Sequence, residues 1–172
     1  MKPSVTGLIL IMSAFSPGSM ALANQATPAS LPFEQLTALV GQWEGKRPAL
    51  DGEETITVDY KLTAKGTALV ERLFPGTPKE MVSVYAEDGP EVIMTHYCML
   101  GNQPRMRTNG KSKPNGITFA YIDSTGMRST HDLHMHELTI TFLDKDHITH
   151  QWTLFDKGQK KVIETFLFTR KY

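Results

Sequence analysis

Cysteine is almost absent from this sequence. Cys98 is the single cysteine among 172 residues, so no disulfide bond can form within the chain. An excess of charge of either sign is also missing, because 18 Lys and Arg residues face 18 Asp and Glu residues. A chain with this balance lacks the basic surface with which proteins bind nucleic acids or acidic lipids. We therefore expect neither as a partner.

The common catalytic motifs are missing too. The sequence has no Gly-x-Ser-x-Gly, no phosphate-binding glycine loop, no His-Glu-x-x-His and no carboxylates paired at useful positions. We therefore assign no catalytic residue. An enzyme that acts inside a cavity, such as an isomerase or hydrolase, stays open as an alternative to simple binding.

Residues 1–23 have the pattern of a secretory signal peptide. Lys2 precedes an apolar stretch from Val5 to Phe15, and Ala21-Leu22-Ala23 places small residues at the recognition positions for cleavage. The apolar stretch is too short to span a membrane with its own anchors. We predict cleavage after Ala23, which leaves a net charge near −1 and no integral membrane segment. The protein is then expected in the periplasm or outside the cell.

Residues 24–172 predict one domain of the all-β class. A short N-terminal helix is expected, with Ser30 as its cap, an apolar stripe of Phe33, Leu36, Leu39 and Val40, and an end at Gly41. About ten strands follow, separated by turn signals rich in Gly, Pro, Asn and Asp. They are expected at 43–47, 54–63, 67–74, 80–86, 91–99, 103–108, 116–123, 133–143, 147–156 and 160–170. Closure of such antiparallel strands into a barrel hides their edges, and a sandwich is the alternative.

The segment from His134 to Leu143 alternates most clearly. Its apolar residues share one strand face, and the same register carries His134 and His136 onto that buried face. Across the turn at Asp144–Asp146, the hairpin pairs Ile140 with His150, Leu138 with Trp152 and His136 with Leu154. His150 is then also expected to point inward.

These histidines define a predicted pocket inside the barrel. His96 and Cys98 are two residues apart on one strand face, and the turn after them could orient a ligand's carboxylate or carbonyl at the pocket mouth. Three interpretations stay open, which are polar lining of a wet cavity, a zinc or copper site, and a haem site. The predicted pocket residues are His96, Tyr97, Cys98, Gln103, Arg105, His134, His136 and His150, and the predicted metal ligands are His96, Cys98, His134 and His136.

Two features resemble the calycin superfamily of lipocalins, fatty-acid-binding proteins and nitrobindin-like barrels. One is Gly41-Gln42-Trp43 after a short helix, and the other is Arg170 near the end of the last strand. The resemblance implies a calycin-like barrel in which Arg170 lies over the Trp43 ring. In nitrobindin-like barrels a histidine close to the C-terminus binds haem, but here no histidine follows His150.

A closer resemblance covers nearly the whole chain after the signal peptide. The chain is similar to a bacterial group of uncharacterised, secreted, lipocalin-like proteins, which implies a fold but no activity. With a barrel wide enough to hold a cavity, this predicts a small hydrophobic or amphipathic ligand and leaves the oligomeric state open. The matching runs are Leu69-Val70-Glu71, Phe74-Pro75-Gly76-Thr77-Pro78, Glu80-Met81-Val82, Thr95-His96-Tyr97-Cys98, Gly101-Asn102-Gln103-Pro104-Arg105-Met106, His134-Met135-His136 and Gln151-Trp152-Thr153.

Overall fold

The described residues form one short α-helix and ten strands. The structure is a computed structural model, and it describes residues 32–50, 52–110 and 115–172. The elements are α1 (Pro32–Thr37), β1 (Gly41–Ala49), β2 (Gly52–Thr63), β3 (Ala68–Leu73), β4 (Met81–Asp88), β5 (Glu91–Tyr97), β6 (Gln103–Thr108), β7 (Gly116–Thr125), β8 (His134–Phe142), β9 (His147–Asp156) and β10 (Gln159–Lys171).

The ten strands make a closed antiparallel barrel. Each strand pairs with the next along the chain, and β1 closes the ring by pairing with β10. At this closure Trp43 lies opposite Arg170, and Gly45 lies opposite Phe168. A side chain at Gly45 would place its Cβ only 2.3 Å from the Leu167 carbonyl oxygen, so the closure requires glycine there. The prediction of an all-β, ten-stranded barrel with a short helix is confirmed.

Alternation along the strands fills the interior. On β2, for example, Ile56, Val58 and Tyr60 are buried while the residues between them are partly exposed. Because successive side chains on a strand point to opposite faces, each strand contributes every second residue to the core. The same period brings polar residues inside, since Glu71 lies between the buried Leu69 and Leu73 on β3.

The helix closes one end of the barrel. α1 packs against β4 and β5, and Phe33, Leu36 and Leu39 are buried in the core. Trp43 lies beside them, and its indole nitrogen donates a hydrogen bond to the Leu39 carbonyl oxygen at 2.7 Å. The predicted fourth member of the stripe, Val40, is wrong: it is 40 % exposed because the helix ends at Thr37.

Arg170 ties the last strand to this end. Its guanidinium carbon lies 4.1 Å from the centre of the Trp43 ring, which is the contact that the calycin resemblance implies. The same group donates hydrogen bonds to the carbonyl oxygens of Ala38 at 2.6 Å and Val40 at 2.8 Å. Arg170 therefore joins the helix, the first strand and the last strand.

The predicted signal peptide and the Ser30 cap lie outside the described residues. Within the described part of the chain, no helix has the length and apolar character that a membrane span requires.

Candidate functional site

A pocket of about 200 Å³ lies at the end of the barrel opposite the helix. β1 runs from Trp43 at the helical end to Arg47 at the pocket. Met81, the first residue of β4, and Met135, the second residue of β8, also line the pocket. The pocket is lined by Arg47, Leu73, Phe74, Lys79, Met81, His96, Met99, Met135, Trp152, Glu164 and Phe166. Most of these side chains are apolar, and the charged ones lie at the rim.

The rim is an ion-pair cluster. Arg47 donates two hydrogen bonds to Glu54, at 2.7 and 2.9 Å, and Lys79 donates one to the same carboxylate at 2.6 Å. Glu164 contacts Arg47 at 3.3 Å and is half exposed. Hydrogen bonds from Lys79 and Arg47 lower the pKa of Glu54. One carboxylate thus holds two cations beside the pocket, while Glu164 is held loosely.

His96 and Trp152 form the inner wall of the pocket. Their ring centres are 4.8 Å apart, and both side chains are buried. The His96 Nδ1 atom lies 2.9 Å from the Ser83 hydroxyl, and burial lowers the pKa of His96 to about 4. The imidazole is therefore neutral near neutral pH. The indole nitrogen of Trp152 is buried and has no hydrogen-bond partner among the described residues.

A buried polar network lies beneath the pocket, one inward-facing residue closer to the helical end on each strand. Glu71 precedes Leu73 by two residues, and His150 precedes Trp152 by two, so both lie closer to the helical end. Glu71 accepts a hydrogen bond from the Tyr85 hydroxyl at 2.5 Å, and the Tyr60 hydroxyl lies 2.9 Å from His150 Nε2.

Burial controls the protonation of this network. It raises the pKa of Glu71, although hydrogen bonds from Tyr85, Ser83 and Tyr60 oppose that change. It lowers the pKa of His150 to about 3. Glu71 Oε1 and His150 Nδ1 lie 3.7 Å apart, and neither has a hydrogen-bond partner in the described structure. The network therefore keeps an ionisable acid and a neutral imidazole side by side beneath the pocket.

The predicted inward positions of two histidines are confirmed. His150 lies opposite Ile140 as expected, and Leu138 lies opposite Trp152. His96 is 2 % exposed and lines the pocket, whereas His150 lies beneath it.

The register of His134 and His136 differs from the predicted inward one, although His134 is buried as expected, at 1 % exposure. A β-bulge at His136 shifts the register, so that Met135 rather than His136 lies opposite Leu154. His134 then pairs with Phe155, which is an odd number of residues from the inward Trp152 and lies on the outer face of the barrel. Met135 takes the place in the pocket that the alternation predicts for His136.

On the outer face, His134 and His136 form their own cluster. The His136 ring stacks on Phe155 with centres 3.7 Å apart and on Tyr121 with centres 4.8 Å apart. His134 is buried beneath them, with Nε2 lying 2.9 Å from His136 Nδ1 and Nδ1 lying 2.7 Å from the Asp132 carbonyl oxygen. Partial burial lowers the pKa of His136, with contributions from His134 and Lys160.

The remaining predicted pocket residues lie at or beyond the end of β5 and on β6, and none of them lines the pocket. Tyr97 is 51 % exposed, and burial raises the pKa of the Cys98 thiol. Gln103 accepts a hydrogen bond from Thr125 at 2.7 Å, and Arg105 pairs with Asp123 on the outer surface. The turn that was expected to select ligands is thus occupied by contacts within the protein.

The structure does not bring all four predicted metal ligands together, because only His134 and His136 are in contact. His96 lies inside the barrel, His134 and His136 lie outside it, and Cys98 lies in the turn after β5. Across the described residues, no group of three or more His, Cys, Asp or Glu side chains is arranged to hold a metal ion.

Sequence reasoning missed Glu71, Ser83, Tyr60 and Tyr85. Their signal is the same alternation that places the apolar core, since Glu71 shares the phase of Leu69 and Leu73. These residues belong to no motif, so the phase of the alternation is the one local signal that could have identified the network.

Comparison with known proteins supports the fold. The crystal structure of Rv2717c from M. tuberculosis superposes with a TM-score of 0.55 over 85% of this chain and 99% of that one, at 15% sequence identity. A protein of unknown function from the DUF3598 family of Nostoc punctiforme matches with a TM-score of 0.39 over 80% of this chain and 48% of its own, at 10% identity. No protein-family model matches the chain, and no curated protein does.

Proposed function

We propose that this protein binds a small, mostly apolar molecule in the pocket at the open end of the barrel. The proposal rests on one observation, which is an apolar pocket lined by Trp152, whose buried indole N–H has no acceptor among the described residues. A buried donor left without a partner costs about 1–3 kcal/mol, so a bound group that accepts this hydrogen bond gains that amount. The occupant is therefore an apolar molecule with one acceptor atom.

The size of the pocket limits the ligand. At about 200 Å³ it is smaller than the roughly 300–1,000 Å³ of most small-molecule sites. The rim adds no net charge, because the two cations Arg47 and Lys79 face the two carboxylates Glu54 and Glu164. A small ketone, ester or aromatic alcohol fits this description better than a large or multiply charged ligand. We place this activity in the periplasm or outside the cell, on the strength of the signal-peptide pattern.

Thermal unfolding with paired probes tests the proposal. Short ketones and the hydrocarbons of the same shape are added to the protein, and the shift in Tm is measured for each. A ligand at 100 times its Kd stabilises the folded state by about 2.7 kcal/mol. We expect ketones to raise Tm more than hydrocarbons do, and the Trp152→Phe variant to lose this difference because it lacks the indole N–H.

A pair of variants locates the binding site. Met135→Phe places a larger side chain in the pocket and so reduces its free volume. Leu167→Phe also enlarges a side chain, but on the outer face, where Leu167 is half exposed. Binding should weaken in Met135→Phe and stay unchanged in Leu167→Phe. Equal protection of both variants by the probes would place binding elsewhere.

A further inference from the structure

We infer that the pocket also takes a soft monovalent metal ion, Cu(I), held by the thioethers of Met81, Met99 and Met135 and by the imidazole of His96. All four side chains line the same small pocket. This inference shares its pocket with the proposed function and rests on that pocket being open to a bound species, but it requires a different occupant.

The methionines are gathered from separate parts of the chain. Met81 begins β4, Met135 is the second residue of β8, and Met99 lies in the turn between β5 and β6. Met94 and Met106, by contrast, are fully buried in the core and do not line the pocket. Met81 and Met135 are partly buried, and Met99 is 60 % exposed. All three sulfur atoms can approach one ion in a pocket of about 200 Å³, because the methionine side chain is unbranched and adapts its rotamers.

His96 is oriented as a ligand would be. Its Nδ1 atom lies 2.9 Å from the Ser83 hydroxyl. When the Ser83 oxygen accepts the Nδ1–H of His96, the Nε2 atom keeps its lone pair for a metal ion. Histidines that bind metals are commonly fixed in this way, through a hydrogen bond from the other ring nitrogen.

The chemistry of the donors selects the ion. Thioethers are neutral, soft ligands that favour Cu(I), whereas Mg²⁺ and Ca²⁺ favour carboxylate and carbonyl oxygens. Two carboxylates lie at the rim, and both are paired with cations: Glu54 binds Arg47 and Lys79, and Glu164 contacts Arg47 at 3.3 Å. Zinc has no conventional ligand set here, because the described residues contain no suitable cluster of His, Cys, Asp and Glu. Ag(I), which shares the preference for sulfur, should bind at the same place.

Anaerobic titration with Cu(I) against bicinchoninate tests the inference. The wild-type protein should take up one equivalent, and X-ray absorption at the copper edge should show sulfur neighbours together with nitrogen. The Met81→Leu/Met135→Leu variant should lose this stoichiometric binding. Leucine for methionine keeps the apolar volume nearly constant, so the same variant should still bind the ketone probes.

Three further variants serve as controls. Met94→Leu/Met106→Leu also removes two thioethers, but from the core, and should keep full Cu(I) binding. Cys98→Ser should keep it as well, because Cys98 does not line the pocket. Ser83→Ala should weaken Cu(I) binding by about 10–100-fold through loss of the support to His96.

The outcomes separate this inference from the proposed function. Cu(I) binding that survives in Met81→Leu/Met135→Leu, or that disappears in Cys98→Ser, overturns the metal site. A protein that takes up ketones but no Cu(I) overturns the metal site and leaves the proposed function standing. A protein that takes up Cu(I) through the methionines but no ketone supports the metal site and overturns the proposed function.

Discussion

The interior histidines, His96 and His150, and the outer histidines, His134 and His136, lie on opposite faces of one barrel wall. The sequence pattern places all four inside, because each shares the phase of apolar neighbours. The β-bulge at His136 is what separates them, since it shifts the start of β8 by one residue. A single unpaired residue thus decides which histidines lie on the interior side of the wall and which pack together on its outer side.

The two pairs differ in chemistry as well as position. Burial lowers the pKa of His96 to about 4 and that of His150 to about 3, so both stay neutral over most of the pH range. The outer pair is stabilised by stacking and by a chain of hydrogen bonds that begins at the Asp132 carbonyl. His134 is as buried as the interior histidines, at 1 % exposure, so the ring contacts and this hydrogen-bond chain are what distinguish the outer pair.

Among the variants that test this difference between the two histidine pairs, single-residue deletions in β8 should change stability the most. Deleting His136 removes the bulge and leaves both flanking registers intact, at a cost of about 1–2 kcal/mol for the lost contacts. Deleting Thr139, in the regular part of β8, moves either Leu138 or Ile140 off the core face, and each is worth about 1.5–3 kcal/mol when buried. In urea denaturation we expect the first variant to fold and the second to fail. Comparable loss of stability in both would argue against the bulge.

Alanine substitutions compare the two pairs directly. His150→Ala opens a cavity and leaves the Tyr60 hydroxyl without its partner, so we expect a loss of about 2–4 kcal/mol in the free energy of unfolding. His136→Ala removes a half-buried stacked ring, and the expected loss is about 1 kcal/mol. Chemical denaturation measures both. A larger loss for His136→Ala would contradict the assignment of faces.

The pH dependence of stability should sharpen the contrast. A histidine with a lowered pKa in the folded state binds its proton more readily when unfolded, so its contribution is complete above pH 6.5. That contribution is lost as the pH falls from there toward about 3 for His150. His150→Gln should therefore reduce the slope of stability against pH in this window by up to about 1.4 kcal/mol per pH unit. His136→Gln should change the same slope much less.

Glu71 serves as a control, because its contribution to stability should change with pH in the opposite direction to that of His150. Its raised pKa means that the folded state binds the proton more tightly, so its contribution declines as the pH rises above 4.5. Glu71→Gln should therefore steepen the rise of stability with pH, where His150→Gln flattens it. A change of the same sign in both variants would contradict the assigned shifts.

The smallest expected effect is spectroscopic. Because the Asp132 carbonyl can only accept, His134 must carry its proton on Nδ1, and its Nε2 then accepts from Nδ1 of His136. Nitrogen NMR of the imidazole rings should show both histidines with the proton on Nδ1. A proton on Nε2 of His134 would show that this chain of hydrogen bonds is not formed.

Much of the fold follows from alternation and turn residues. The predicted run 103–108 matches β6, and 147–156 matches β9, since a two-residue period and flanking turns are local properties that a single sequence displays. Arg170 on Trp43 was anticipated from the resemblance and not from the pattern. Closure between β1 and β10 followed from the need to hide strand edges.

The site was harder to predict because it depends on a β-bulge that interrupts the alternation in β8. Nothing local distinguishes His136 as the extra residue, since His134-Met135-His136 fits a regular strand equally well. The bulge depends on how β8 is held between β7 and β9, which involves residues far away in sequence. Met135, which lines the pocket instead, would lie on the outer face of a regular strand in that register.

Pairing of Trp43 with Arg170 also has a consequence for the order of folding. Strands β2 to β9 can form by adding one hairpin at a time, but β1 has no second neighbour until residues 159–171 are available. Contacts between such distant segments are slow to form because the intervening chain must first become ordered. A growing chain therefore carries two unprotected strand edges until its final step, and that interval is when a chaperone that shields strand edges would matter most.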